Sequence, residues 1–338
     1  MSVLIDAPQR PRAPVRWFGP GLALLLALFA ASLWLWWQPD ARFVLEAPLL
    51  QTRIIGKEFP KRLIDPIGRQ LSLPAPPRRI ASAVLAGDEM LAALVGQERV
   101  VSVTFYADNA SLSAAVGDYP ASTHRNHGRI EELLALQPDL AVVASYNDAV
   151  TVRLLLRSGV AVVRLADASS FRGIGSAIRT LGAAVGESAR AQKLVLDMDA
   201  RIDAVRQRVA TRPAPRVLYY ALGGFTAGPG SLVDEMITLA GGRNVVREAG
   251  VGAHGRLSAE LAIALQPDVV LVSGWQDGQA PAEAVLSQHA AWRQVPAIRD
   301  GRIHVVSGAW LTSVSQDSVR GVEVIAELLH PDVFDAAD

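Results

Sequence analysis

From residue 79 onward the chain alternates short apolar runs with stretches of helical spacing. Residues 79–85, 100–104, 140–144 and 161–165 are apolar runs of strand length. Between them, 88–95, 129–136 and 150–158 repeat their apolar positions every three or four residues, and Pro138 stops the second of these helices. Strands alternating with helices predict a parallel sheet in an α/β lobe. Ahead of it, Leu63-Ile-Asp-Pro-Ile-Gly-Arg-Gln-Leu-Ser-Leu73 places Asp-Pro and Gly-Arg between apolar residues. It predicts a hairpin that Pro74, Pro76 and Pro77 end.

After Ser170 the period changes. Residues 174–185 and 188–209 predict two helices with few breakers, the second carrying Leu194, Met198, Ile202, Val205 and Val209 on one face. That is too long for an ordinary crossover and reads as a connecting spine, closed by Arg212-Pro-Ala-Pro215. The alternation then restarts, with strands at 216–221, 269–272 and 303–306 and helices at 231–240 and 258–265. The chain therefore divides into a lobe at 61–168, connecting helices at 169–212 and a second lobe at 213–338. One echo ties the lobes together. Ile130-Glu-Glu-Leu-Leu-Ala-Leu-Gln-Pro-Asp139 returns as Ala259-Glu-Leu-Ala-Ile-Ala-Leu-Gln-Pro-Asp268, each before an apolar strand, with Glu131 and Glu260 in the same place. A glutamate near a helix N-terminus stabilises its own helix by ~0.3–1 kcal/mol, and for one copy that would be the whole account. A matched pair on two similar lobes points further, to a shared surface.

The N-terminus adds an uncharged apolar run over 17–37, rich in Leu and Ala, with Arg10, Arg12 and Arg16 before it and Trp34, Trp36 and Trp37 at its end. It has the roughly 20 residues that a membrane-spanning helix needs, and the arginines keep the 1–16 tail cytoplasmic and export the remainder of the chain. A cleaved signal peptide is the competing reading. It requires a shorter apolar core and a small-x-small site, whereas this run continues past Ala30-Ala31 into tryptophans. Residues 38–60, of mixed polarity, read as a tether. The 338 residues hold 33 basic and 33 acidic side chains, which gives no electrostatic ground for a nucleic-acid partner. The absence of cysteine excludes disulfides, thiolate catalysis, iron–sulfur clusters and a lipidated N-terminal cysteine.

The segment 63–80, the repeat region 131–143, the stretch 226–245 that opens Thr226-Ala-Gly-Pro-Gly230, and Ala297-Ile-Arg-Asp-Gly-Arg-Ile-His304 together resemble the periplasmic substrate-binding proteins of ABC importers for iron complexes, haem and cobalamin. The resemblance runs from about residue 63 to residue 330. It implies an α/β fold of two Rossmann-like lobes joined by a long rigid helix, here preceded by an N-terminal transmembrane helix, with a ligand cleft between the lobes. It also implies a monomer on the periplasmic side of the inner membrane that works with an ABC permease and its ATPase. Glu131 and Glu260 match the glutamates that dock on permease arginines. Family members are usually free in the periplasm or lipid-tethered, so the anchor is a departure.

Such clefts are lined by loops at the C-terminal ends of strands. Those loops carry Tyr106, Asp108, Tyr119, His124, Arg125, His127, Tyr146, Phe225, Thr226, Trp275 and Trp310. Aromatic walls suit the apolar surface of a ferric complex or corrinoid. Arg125 is of a type to hold an anionic ligand, and its place and that of Tyr146 match cleft positions used by relatives. Of Tyr219 and Tyr220, neighbours on a strand, one faces the cleft if the other packs; Tyr220 is the candidate. His124 and His127 form a His-x-x-His pair, but protein metal sites need three or four ligands, and a solvated polar loop is the competing reading. Gly228-Pro-Gly230 lacks the Lys-Ser/Thr of a phosphate loop and reads as a rim turn before an N-cap at Ser231. Nothing marks a nucleophile–base arrangement, so no enzyme and no intrinsic cofactor are expected. The lead reading is a solute-binding protein for a ferric siderophore, with cobalamin and then haem as rival ligands. A membrane-anchored sensor or scaffold is the alternative of another class.

Overall fold

The computed structural model describes residues 52–64, 68–165, 169–274, 286 and 290–334. The expected span at 17–37 and Trp275 lie outside them, and among the described residues no helix is long and apolar enough to cross a membrane. Three short strands open the fold: β1 (Arg53–Ile55), β2 (Lys61–Ile64) and β3 (Gln70–Leu73), antiparallel with Arg53 opposite Ile64 and Lys61 opposite Leu73. The β2–β3 pair is the hairpin that the turn residues predict. β1 lies inside the stretch read as a tether, and Thr52 ties it down: Arg164 N–H donates to Thr52 Oγ1 at 3.0 Å.

The first lobe runs β4 (Ile80–Ser82), α1 (Leu85–Leu94), β5 (Val100–Thr104), β6 (His124–Asn126), α2 (Ile130–Ala135), β7 (Leu140–Val143), α3 (Ala149–Arg157) and β8 (Ala161–Arg164). Its five strands are parallel in the order β6-β5-β4-β7-β8. The spine is α4 (Phe171–Val185) and α5 (Ser188–Val209). They pack closely because Gly182 faces Ala191: a Cβ there would lie 2.3 Å from that of Ala191. The second lobe comes next as β9 (Arg216–Tyr219), β10 (Phe225–Thr226), α6 (Leu232–Leu239), β11 (Arg243–Asn244), β12 (Gly255–Arg256), α7 (Ala259–Ala264), β13 (Val269–Gly274), β14 (Ile303–Ser307) and α8 (Val319–Leu329). Here β11-β9-β13-β14 form a second parallel sheet, and β10 and β12 an antiparallel ribbon beside it.

Strands such as β7, buried at every position, are covered on both faces, which is why they read as unbroken apolar runs. The buried face of α5 is Ala191, Val195, Met198, Ile202, Val205 and Val209; Leu194 sits half-buried at its margin. One core runs from Ile80, Leu91 and Leu140 through Ile178 and Met198 to Val217, Met236 and Val322, so both lobes are built onto the spine.

The sequence echo is also a structural one. Among the described residues Gln137 and Gln266 are the non-glycine residues found at positive φ, 47° and 45°, each turning the chain from a helix into Pro-Asp. Asp139 then accepts from Arg78 N–H and Arg79 N–H at 2.7 and 2.9 Å, just before β4, and the Arg79 guanidinium reaches back to the carbonyls of Leu136 and Gln137. Asp268 accepts from Arg216 N–H at 2.9 Å at the start of β9, and Arg216 reaches the Leu265 carbonyl.

Two adjacent acids on α1 are buried. Asp88 accepts from Thr104 N–H and its hydroxyl at 3.1 and 2.5 Å, and its other oxygen, Oδ1, has no partner. Burial pushes its carboxyl up to about 8. Glu89, also raised by burial, accepts from Ala114 N–H at 2.9 Å and from the Ser313 hydroxyl of the second lobe at 2.6 Å. Because folded Asp88 keeps its proton to about pH 8 while an unfolded one loses it near 3.8, the folded state binds the extra proton between those values. Stability therefore falls as pH rises through that window, with a slope of at most about 1.4 kcal/mol per pH unit for this group. Urea unfolding of Asp88→Asn from pH 5 to 8 is expected to show a shallower fall than wild type, with Glu89, Glu235 and Asp317, whose carboxyls burial also raises, supplying the remainder. A wild-type midpoint that climbs with pH would refute this.

Candidate ligand cleft

The C-terminal ends of both parallel sheets converge on one seam. Gly308, directly after β14, lies against the first lobe so closely that a Cβ would be 2.6 Å from the Ser111 carbonyl oxygen. Beside it Ser313 and Gln316 hold Glu89. The loops that follow the strands carry the expected site residues, and in α/β proteins ligands bind at strand C-termini.

In the first lobe, Phe105–Asp108 is a 3-10 turn directly after β5. It exposes Phe105 (42%) and Tyr106 (43%), with ring centres 3.9 Å apart, and His127 stacks on Phe105 at 4.9 Å and 18°. Asp108 at the end of the turn takes both Nε and Nη2 of Arg125, at 2.8 and 2.9 Å. Arg125 also donates to the carbonyls of Thr123, Pro120 and Tyr119. Its guanidinium is thus engaged by its own chain. The Arg125 hydrogen bonds hold the Asp108 carboxyl below the usual carboxylate range. Tyr146 follows β7 and is 69% exposed, on a loop that its neighbours fix: Asn147 bonds Ala83 and Ala144, and Asp148 caps α3 through Thr151 N–H at 2.7 Å.

The stretch 124–127, expected as a loop, is largely the edge strand β6. Asn126 makes it so: its side-chain amide lies 2.8, 2.7 and 2.8 Å from Ser82 O, Ser102 Oγ and Val103 O, joining three strands. His124 and His127 are exposed, His124 at the start of β6 and His127 just past its end, stacked on Phe105. Among the described residues no group of three His, Asp or Glu is placed to hold a metal. The partner of His127 is Glu132, which accepts its N–H at 2.8 Å and sits 3.8 Å from Nδ1. Tyr119, expected on a cleft wall, is in the core, its hydroxyl donating to the Asp88 carbonyl.

In the second lobe Phe225 is half exposed at the turn after β9, with the Arg256 guanidinium 4.2 Å from its ring centre. Thr226 is buried, its hydroxyl on the Tyr219 carbonyl. Tyr219 and Tyr220 both pack, on opposite sides of the sheet: Tyr219 in the core shared with the spine, Tyr220 against Trp292 at 5.5 Å. Burial and the nearby Glu260 charge raise the Tyr220 phenol. Trp310 is half-buried on the core, 5.6 Å from Arg320. Ser231 caps α6 by accepting from Asp234 N–H at 3.1 Å. Glu131 and Glu260 are exposed in the first turns of α2 and α7. Phe105, Glu132 and Arg256 contact residues expected at the site or lie beside them without having been singled out in the sequence. For Arg256 a signal exists, since the repeat spacing pairs it with His127.

The family profile described as periplasmic binding protein matches residues 80–307, which spans both sheets and the spine. The chain belongs to the periplasmic binding protein family. Among relatives in that family, a cobalamin-binding protein of Halobacterium salinarum is 26% identical over 80% of this chain and 74% of its own. An uncharacterized ABC transporter substrate-binding lipoprotein of Bacillus subtilis is 23% identical over 82% of this chain and 87% of its own. The solved periplasmic heme-binding protein of Roseiflexus sp. RS-1 superimposes with a TM-score of 0.65 at 26% identity, over 76% of this chain and 99% of its own.

For this periplasmic binding protein the Asp108–Arg125 pair makes a direct test. In carbon-detected NMR titrations Asp108 is expected to ionise below 3.8, and Arg125→Gln is expected to raise its midpoint toward that value. An unmoved midpoint would remove Arg125 as the cause.

Proposed function

We propose that this chain is the substrate-binding component of an ABC importer and that its ligand is a corrinoid of the cobalamin class. The observation that carries the reading is the set of exposed rings, Phe105, Tyr106, Tyr146 and Phe225, in the segments that follow β5, β7 and β9 of the two parallel sheets. A corrinoid brings its cobalt already chelated in the ring plane and offers a broad surface of methyl groups and amides, which aromatic walls suit. Arg125, neutralised by Asp108, is no counter-charge for a polyanionic ferric complex. The cobalamin-binding relative, matched over most of both chains, supports the same ligand. Haem and ferric siderophores are the other arms of the test.

Delivery would use Glu131 and Glu260, one exposed carboxylate on the corresponding helix of each lobe, against arginines of the permease. The apolar run at 17–37 would hold the protein at the outer face of the inner membrane, with the lobes in the periplasm.

Titration of the purified chain with cobalamin, haem and a ferric siderophore, monitored by tryptophan fluorescence, is expected to give saturable sub-micromolar quenching with cobalamin. Saturation by one of the others instead would reassign the ligand, and a flat response to all three would defeat the binding role. Glu131→Ala with Glu260→Ala is expected to abolish uptake in cells while leaving affinity unchanged and costing each helix no more than ~1 kcal/mol. Uptake that survives the double change would defeat delivery through these carboxylates.

A further inference from the structure

The spacing that relates Glu131 to Glu260, Gln137 to Gln266 and Asp139 to Asp268 also relates His127 to Arg256, each four residues before its glutamate. The two share a geometry as well as a place. His127 lies flat on Phe105, and Arg256 lies on Phe225. Each lobe thus presents, at the C-terminal edge of its sheet, a basic side chain laid on a half-exposed phenylalanine.

The two platforms differ in charge. His127 is held by Glu132, whose carboxylate also takes Arg129 at 2.9 Å. At the position corresponding to Glu132 the second lobe has Leu261, so α7 supplies no carboxylate there for Arg256. Among the described residues Arg256 is in none of the ion pairs, whereas Arg216, Arg243 and Arg247 of the same lobe are each paired with a carboxylate. A guanidinium whose carbon lies 4.2 Å over a ring centre is in cation–π contact with the ring, and its fork of N–H groups is of a shape to match two oxygens of one acid group.

We propose that Phe225 and Arg256 form the subsite for an anionic group of the ligand, with Phe105, Tyr106 and His127 taking an uncharged face. This rests on the cobalamin reading, in which the anionic group is the phosphodiester of the nucleotide loop. Arg256 is then a specificity residue: it separates complete corrinoids from those lacking the phosphate.

Isothermal titration of the full-length chain at pH 7 with cobalamin and with cobinamide, which has no phosphodiester, tests it. Arg256→Gln is expected to weaken cobalamin about tenfold, the scale of one lost charge-assisted pair, and to leave cobinamide affinity unchanged. Arg256→Lys, which keeps the charge and loses the fork, is expected to fall between. Equal losses on both corrinoids, or no loss on cobalamin, overturn the proposal. Because Arg256 is exposed, an unchanged melting temperature is expected and separates recognition from folding. If wild type binds neither corrinoid, the cobalamin reading fails alone, and haem against its dimethyl ester poses the same question. There a loss on haem that spares the ester supports the subsite, and equal losses or none overturn it. Wild type that binds none of the four overturns both readings.

Discussion

Each sheet is held at its foot by an aspartate that caps the start of its central strand. Asp139 and Asp268 come after a glutamine in left-handed conformation and a proline; Asp139 accepts the backbone N–H groups of Arg78 and Arg79 just before β4, and Asp268 accepts that of Arg216 at the start of β9. The arginine side chain then satisfies carbonyls at the end of the preceding helix, which would otherwise lack partners. Helix end, turn and strand start are fixed together. Parallel strands share one direction, so fixing the feet fixes where the other ends emerge, and the ligand-facing loops emerge there. The strained glutamines cost free energy, ~1–3 kcal/mol each, that the clamp offsets with several charge-assisted bonds.

The same economy governs charge near the cleft. Arg125 and Asp108 neutralise each other, Glu132 absorbs Arg129 and stands beside His127, and Asp88 holds a proton because burial leaves it no cation. Glu89 commits its carboxylate to the seam, where Ser313 and Ala114 bind it from the two lobes. A carboxylate buried between lobes and fully bonded favours one separation over others, since opening would strand it unpaired. The cleft is therefore shaped by groups that never need to touch the ligand.

How much of this was legible depends on how each element is stabilised. Strands buried on both faces and helices with a strict apolar stripe announce themselves, so 100–104 and 188–209 are read at their observed bounds and most others to within a few residues. β6 was not legible because its sequence, His-Arg-Asn, has no apolar pattern; Asn126 makes it a strand through bonds to residues far along the chain. β1, paired with β2, is preceded by Thr52, which the distant Arg164 anchors. Tyr119 and Tyr220 show the limit for the site. Their places after strands mark them as cleft aromatics, yet Tyr119 donates to the Asp88 backbone carbonyl in the core and Tyr220 packs at a tilt against Trp292, contacts that no local pattern encodes. The glutamate pair was legible because duplication writes a long-range relation into the sequence itself.

Duplication also makes divergence readable. Positions that keep their identity, Glu131 with Glu260 and Asp139 with Asp268, either fix the frame or face outward on the first turn of a helix. Positions that differ, His127 against Arg256 and Glu132 against Leu261, lie at or beside the cleft mouth. A symmetric frame with unlike walls suits a ligand that is itself two-sided, with one face apolar and one edge charged. A ligand with equal faces would be met as well by equal walls, and the unlike pair at the mouth then has no role in binding.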